Sequence, residues 1–252
     1  MTISGWIEGK VTALRKWTDT LFSIRIEAEA ISFEAGQFLK LALPVADQMI
    51  GRPYSFVNAP DEHPYEFYCV VVPDGPLSTR LAALVPGDSV YLAPRPTGFL
   101  VLSEVQDSES LWLLCTGTGI GPFLSMLKTS AAWNRFRHVV LVHGARHVSE
   151  LTYRDTVATI SAAHPEQFRL ISLVSRDPLP DAPAMLAGRI PQAITSGRLQ
   201  QIAGIPLTAA SAQVMLCGNP SMVEEVTEVL KVAGMRKHRR RSPGHITAEN
   251  YW

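Results

Sequence analysis

Apolar and polar residues follow two different rhythms along this chain. Up to about residue 100, short runs alternate between the two classes, as at Phe22, Ile24 and Ile26, which is the period of a half-buried strand. The runs are Trp6–Leu14, Leu21–Ala28, Phe38–Leu43, Tyr54–Asn58, Glu66–Val72 and Asp88–Ala93, with Pro and Gly between them in PDEHP, PDGP, VPGD and PRPTG. About six closely spaced antiparallel strands predict a barrel or sandwich, interrupted by one short helix at Ser78–Leu84. From residue 111 the strands are apolar throughout (LWLLC, HVVLVH, FRLISLV, QVMLC), and helical stretches separate or follow them, as at Met222–Val232. Buried strands alternating with helices predict a parallel α/β sheet. The polar stretch 103–110 reads as the linker. The expected fold class is therefore β + α/β, with domains at 1–102 and 103–252.

Composition narrows the classes. Hydrophobic residues make up 46% of the 252 positions and charged residues 18%, a globular balance. Lys+Arg and Asp+Glu number 23 each, so nothing global points to nucleic acid or a membrane surface, and charged recognition has to be local. The first ten residues carry neither a basic leader nor an apolar run, and no stretch approaches a membrane span, so a cytoplasmic protein is expected. Cys69, Cys115 and Cys217 are far apart, without the spacing of a zinc site or an iron–sulfur cluster. No association helix is evident, which leaves a monomer as the expectation.

Thr116-Gly117-Thr118-Gly119-Ile120-Gly121-Pro122 falls between a strand and a helix. Glycines allow a sharp turn and close approach of a phosphate, and a helix start offers unpaired N–H groups. The third glycine comes one place too early for GxGxxG. An NAD-binding fold commonly ends its second strand in Asp or Glu, for the ribose 2′-hydroxyl. Here the strand ending in Ala145 is followed by Arg146, and the strand LISLV by Ser175 and Arg176. Arg189 follows a loop in LAGRIP. One such arginine is an ordinary surface charge; three placed after strands or in a glycine turn suit a 2′-phosphate and so NADP rather than NAD. Cys217-Gly218-Asn219-Pro220 closes the last strand, where a small side chain and backbone amides can face a nicotinamide, or simply make a turn.

In the first half, Arg52-Pro53-Tyr54-Ser55 begins a strand and offers a cation, an aromatic ring and a hydroxyl, while Gly75-Pro76-Leu77-Ser78-Thr79 opens a helix and a second candidate anion site. Taken in order, RxYS, the GxLS/T helix start, TGTGIGP, an SR pair and CGNPxM resemble the ferredoxin–NADP reductase family, and the ending RRRSPGHITAENYW resembles its bacterial subgroup. The resemblance spans the whole chain.

It implies an N-terminal FAD-binding barrel, a C-terminal NADP-binding domain and an aromatic tail returning to the FAD. Arg52 would meet the FAD pyrophosphate, Pro53 stiffen the strand, Tyr54 stack on the flavin with Ser55 near its N5, and Pro76, Leu77 and Ser78 hold pyrophosphate. Gly117, Thr118 and Gly119 would line the flavin and nucleotide turn. Tyr251 would cover the other flavin face and Trp252 the adenine. Ala145, Arg146, Ser175, Arg176 and Arg189 would bind the 2′-phosphoadenosine end, and Cys217, Gly218 and Asn219 would abut the nicotinamide. Glu249 matches a family acid tied to proton and electron traffic. The implied reaction takes a hydride from NADPH to the flavin and passes single electrons to ferredoxin or flavodoxin. Arg236-Lys237-His238-Arg239-Arg240-Arg241 is a candidate docking patch for such acidic partners. Rival readings are a flavin reductase or oxygenase reductase, and a non-catalytic nucleotide-binding redox subunit.

Overall fold

The computed structural model describes residues 5–46, 48–178 and 184–250, in two compact units. The first comprises the described residues up to Val101 together with Gly121–Lys128; the second comprises Leu102–Ile120 and the described residues from Thr129 onward.

Six antiparallel strands build the first unit: β1 (Ile7–Lys16), β2 (Leu21–Glu27), β3 (Phe38–Val45), β4 (Gln48–Ser55), β5 (Tyr65–Val70) and β6 (Ser89–Leu92), in the order β4-β3-β6-β1-β2-β5. Past the end of β4, Phe56 bridges Phe67 of β5 and the Val57 amide donates to the Glu66 carbonyl at 2.9 Å, so the two outer strands meet and the sheet closes on itself. Inward residues, among them Phe22, Ile24, Ile26, Leu39, Leu41 and Val90, fill the interior with Phe33, Phe56 and Tyr65. Phe33 stacks on Phe56 with centroids 3.8 Å apart. The predicted Ser78–Leu84 helix is a single turn, α1 (Ser78–Leu81).

The RPYS motif ends its strand rather than beginning it. β4 pairs with β3 from Val45↔Gln48 to Phe38↔Ser55, so residues 48–51, which lack a clear strand pattern, are drawn in by the hairpin. Pro53 is tolerated because β4 lies at the end of the strand order, where a missing N–H breaks no ladder on its outer side.

In the second unit six parallel strands lie in the order β10-β9-β8-β7-β11-β12. They are β7 (Ser110–Thr116), β8 (His138–Ala145), β9 (Phe168–Val174), β10 (Met185–Ala187), β11 (Ala212–Gly218) and β12 (Ile246–Asn250). Their helices are α3 (Ala131–Arg135), α4 (Arg154–Ala163), α5 (Ile190–Thr195), α6 (Arg198–Ala203) and α7 (Pro220–Val232); α2 (Ile120–Leu127) follows the glycine turn. Trp112, Leu114, Val140, Val142, Ile171, Leu173, Val214 and Leu216 make one face of the sheet and pack with α5, α6 and α7. The order leaves β7 in two directions, towards β8 and towards β11. That reversal opens a crevice at the carboxyl ends of these two strands.

The sequence pattern omits β10 and β12. It also treats residues 103–110 as a linker, whereas Ser110 opens β7, Val105 is buried, and the Arg135 guanidinium donates to the carbonyls of Leu102 (2.6 Å) and Val105 (2.5 Å). Glu104 binds Arg240 Nε at 2.9 Å and faces His238 Nε2 at 3.3 Å, so this stretch is fastened at both ends. Among the described residues no helix is long and apolar enough to cross a membrane.

Candidate functional site

The strand ends of the second unit gather most of the nucleotide candidates. Arg146 follows β8, Ser175 and Arg176 follow β9, and Arg189 follows β10 by way of Gly188. Arg189 therefore does not follow a loop, as its sequence context suggests: it is at the end of a short strand formed by pairing with β9. Because β8, β9 and β10 are neighbours in the sheet, the three arginines mark three successive strand ends. Backbone bonds continue the ladder beyond the strands, from the Ser175 amide to the Ala145 carbonyl (3.2 Å) and from the Arg176 amide to the Arg146 carbonyl (2.9 Å). All three arginines are exposed. A row of exposed cations is a donor set suited to a phosphate dianion.

Arg146 has a partner that no sequence motif announces. Its Nε and Nη2 donate to Glu150 at 3.2 and 2.8 Å, and its backbone amide donates to the same carboxylate at 2.9 Å. Burial acts to raise the Glu150 carboxyl, but the Arg146 side chain and amide outweigh it and hold it below the usual carboxylate range. Asp177 ties the same turn from the next strand, accepting from the Val148 amide (2.8 Å) and contacting His147 Nδ1 (2.7 Å).

At the crevice, two glycine turns interlock. A Cβ on Gly119 would lie 2.5 Å from the Cys217 carbonyl oxygen, and one on Gly218, whose φ is 131°, would strike the Thr116 backbone and hydroxyl. Thr116 Oγ1 accepts from the Asn219 amide at 3.0 Å, and Asn219 caps α7 by accepting from Ser221 N (2.9 Å) and Met222 N (3.4 Å). The Asn219 side chain is thus occupied as a cap, worth about 1 kcal/mol. Gly117 is left-handed (φ 54°) with open space where a Cβ would project, which leaves its backbone approachable. Thr118, next to it, is half-buried. His143, fully buried, faces the Gly117 carbonyl at 3.3 Å. Burial pushes its imidazole down to about 4, so it is neutral, and since a carbonyl only accepts, Nε2 carries the proton. Sequence pattern gives no role to the Thr116 hydroxyl, to His143 or to Glu150; of these only Glu150, four residues after Arg146, offers a signal by spacing.

Register places Glu249, Cys217, Cys115, His143 and Ser172 side by side across β12, β11, β7, β8 and β9. Lateral partners share a sheet face, so this is a row of polar and thiol side chains across that face. Cys217 is fully buried. Glu249 is half-buried, and its Oε2 has no hydrogen-bond partner among the described residues. Burial pushes its carboxyl up to about 7.

On the first unit, strand alternation sets Arg52 and Tyr54 on one face of β4 and Pro53 and Ser55 on the other. Arg52 is exposed, Tyr54 half-buried and Ser55 buried. Desolvation raises the Tyr54 phenol, keeping it protonated. An exposed cation beside a protonated aromatic suits a ring system that carries phosphates. Leu77 is buried and Ser78 Oγ is engaged with Val72, accepting from its amide at 2.9 Å, so these two residues offer an anion the backbone N–H groups of the α1 first turn. Tyr251 and Trp252 lie outside the described residues.

Residues 13–98 match the oxidoreductase FAD-binding domain and residues 113–228 the oxidoreductase NAD-binding domain. The chain is 46% identical over 251 residues, 99% of itself and 100% of the relative, to the flavodoxin/ferredoxin–NADP reductase of Shigella flexneri. It is 35% identical over 250 residues, 95% of both chains, to the ferredoxin–NADP reductase of Pseudomonas aeruginosa. Its fold matches the crystal structure of a ferredoxin NADP+ reductase from Neisseria gonorrhoeae with bound FAD and NADP at a TM-score of 0.93 and 33% identity, covering 99% of this chain and 100% of that one.

Proposed function

Because the chain belongs to the flavodoxin/ferredoxin–NADP reductase family, we propose that it uses FAD to carry electrons from NADPH to ferredoxin or flavodoxin. The observation that carries the choice of nucleotide is the row of Arg146, Arg176 and Arg189 at three adjacent strand ends, where an NAD-selective site would hold a carboxylate. When bound, FAD would supply the redox chemistry that joins a two-electron hydride donor to a one-electron acceptor.

The chain's own residues bind and orient. Arg146, Ser175, Arg176 and Arg189 hold the 2′-phosphoadenosine end, with Ala145 shaping the strand end. Gly117, Thr118 and Gly119 line the turn, and Cys217, Gly218 and Asn219 border the nicotinamide at the end of β11. Arg52 takes a flavin phosphate, helped by the amides around Pro76, Leu77 and Ser78; Tyr54 offers its ring, Pro53 stiffens the strand, and Ser55 completes the wall. Glu249, with one unpartnered oxygen, is suited to hold a proton near neutral pH. Tyr251 and Trp252 are assigned to the flavin and adenine faces on sequence resemblance. A cytoplasmic monomer working in the NADPH-to-acceptor direction completes the reading.

A visible spectrum of the purified protein, followed anaerobically during additions of NADPH and then NADH, tests it. Flavin absorbance bleached quickly by NADPH and poorly by NADH is expected. A colourless protein, or equal bleaching by both nucleotides, would overturn it.

A further inference from the structure

Glu150 organises the first of the strand-end arginines although it belongs to no motif. Its carboxylate takes Nε and Nη2 of Arg146, which is the side edge of the guanidinium, and is itself anchored by the Arg146 backbone amide. The Glu150 side chain is 13% exposed and that of Arg146 56%. Nη1 of Arg146 has no partner among the described residues. A guanidinium carries five N–H donors in a rigid fork, so one edge can be pinned while the end edge, Nη1 with the outer hydrogen of Nη2, receives a second anion.

A carboxylate beside a phosphate-binding arginine can act in two opposite ways. It can compete with the phosphate for the cation, or it can fix the direction in which the cation points. Here the carboxylate is tied to the backbone, is mostly buried, and occupies the side edge alone. The turn that bears both residues is held from the next strand by Asp177 and by the Arg176 amide on the Arg146 carbonyl.

From this we infer that Glu150 is a positioning residue for the 2′-phosphate of the NADP nucleotide, pre-aligning Arg146 so that its end edge is presented to the phosphate. The inference rests on the reading of Arg146 as a phosphate ligand. Its physical basis is that a long side chain already immobilised loses little further freedom on binding.

The test titrates the FAD-loaded protein with 2′-phospho-AMP and with 5′-AMP, which lacks the 2′-phosphate. Glu150→Gln should reduce the preference for 2′-phospho-AMP by about five-fold, the order expected when one long side chain must be frozen on binding. In an Arg146→Ala background the same change should have no further effect. Should Glu150→Gln not fold, Glu150→Asp, which keeps the charge but not the reach, should reduce the preference as well. An unchanged or increased preference in the Gln or Asp variant would overturn the positioning role. Arg146→Ala with an undiminished preference would instead overturn the reading of Arg146, which separates the two failures.

Discussion

Cys217 and Glu249 are lateral partners in the last parallel ladder, β11 beside β12, so a fully buried thiol and a half-buried carboxyl stand on the same sheet face. The carboxyl has an oxygen without a partner among the described residues, and burial raises it to about 7. The folded chain therefore holds a proton on Glu249 that the unfolded chain has released. Because the folded value lies above the ordinary 4.5, stability is highest below about pH 4.5, falls as the pH rises towards 7, and then levels off. The expected loss is on the order of 2 to 3 kcal/mol. Urea midpoints compared at pH 5 and pH 8 should show it, and Glu249→Gln should largely flatten that difference. A Gln variant with the wild-type pH dependence would assign the effect to other groups.

The arginine row yields a graded prediction. Arg176→Ala and Arg189→Ala should each weaken NADPH binding about ten-fold or more, since a charge-assisted hydrogen bond is worth about 1.5–3 kcal/mol. NADH binding should change by less than about two-fold in each, because both residues are assigned to the 2′-phosphate. Titration of flavin absorbance with each nucleotide reads both constants. Equal losses for NADPH and NADH would mean that these residues support the fold of the strand ends rather than select the cofactor.

Some of this was legible in the sequence and some was not. The shift in period near residue 100 announces two sheets of different type, and it holds because strand alternation and burial are written residue by residue. Arg146 and Arg176 are legible because each follows an unmistakable apolar strand. Arg189 is picked out as well, but its strand is not: Met185-Leu186-Ala187 is too short to show a period and becomes a strand only through pairing with β9. β12 is hidden similarly, since ITAEN has a single strongly apolar residue and owes its extended form to β11. The RPYS motif is legible but its place at the end of the strand is not, because the hairpin with β3, rather than local pattern, fixes β4. Glu150 and His143 act through tertiary neighbours and leave little or no trace in spacing.

The two glycine turns should respond differently to the same substitution. At Gly218 the left-handed backbone and the Thr116 atoms leave no room for a methyl group, so Gly218→Ala should cost about 3 kcal/mol or more and separate the strand ends of β7 and β11. At Gly117 only the backbone preference opposes a side chain, and Gly117→Ala should cost about 1 kcal/mol. The methyl group would still project into the space beside the turn, so nucleotide affinity should fall more than stability does. Thermal denaturation and NADP titration of the two variants separate these effects. Similar stability losses at both positions would contradict the packing argument.

The basic run at 236–241 is not a uniform cationic surface. Residues 239–242 form a tight turn, with reciprocal backbone bonds between Arg239 and Ser242 at 3.1 and 2.8 Å. Arg240 is paired with Glu104, while Lys237, Arg239 and Arg241 are exposed. If acidic acceptors dock here, Arg239→Glu with Arg241→Glu should slow acceptor reduction at low ionic strength and flatten its salt dependence, because steering depends on exposed charge and is screened over about 10 Å at 0.1 M salt. Arg240→Glu should act differently: it sets two carboxylates against each other at Glu104 and loosens the turn, lowering stability along with the rate. Reduction rates across a salt series, read beside denaturation midpoints, distinguish the two. Unaltered salt dependence in the double variant would move the docking surface elsewhere on the protein.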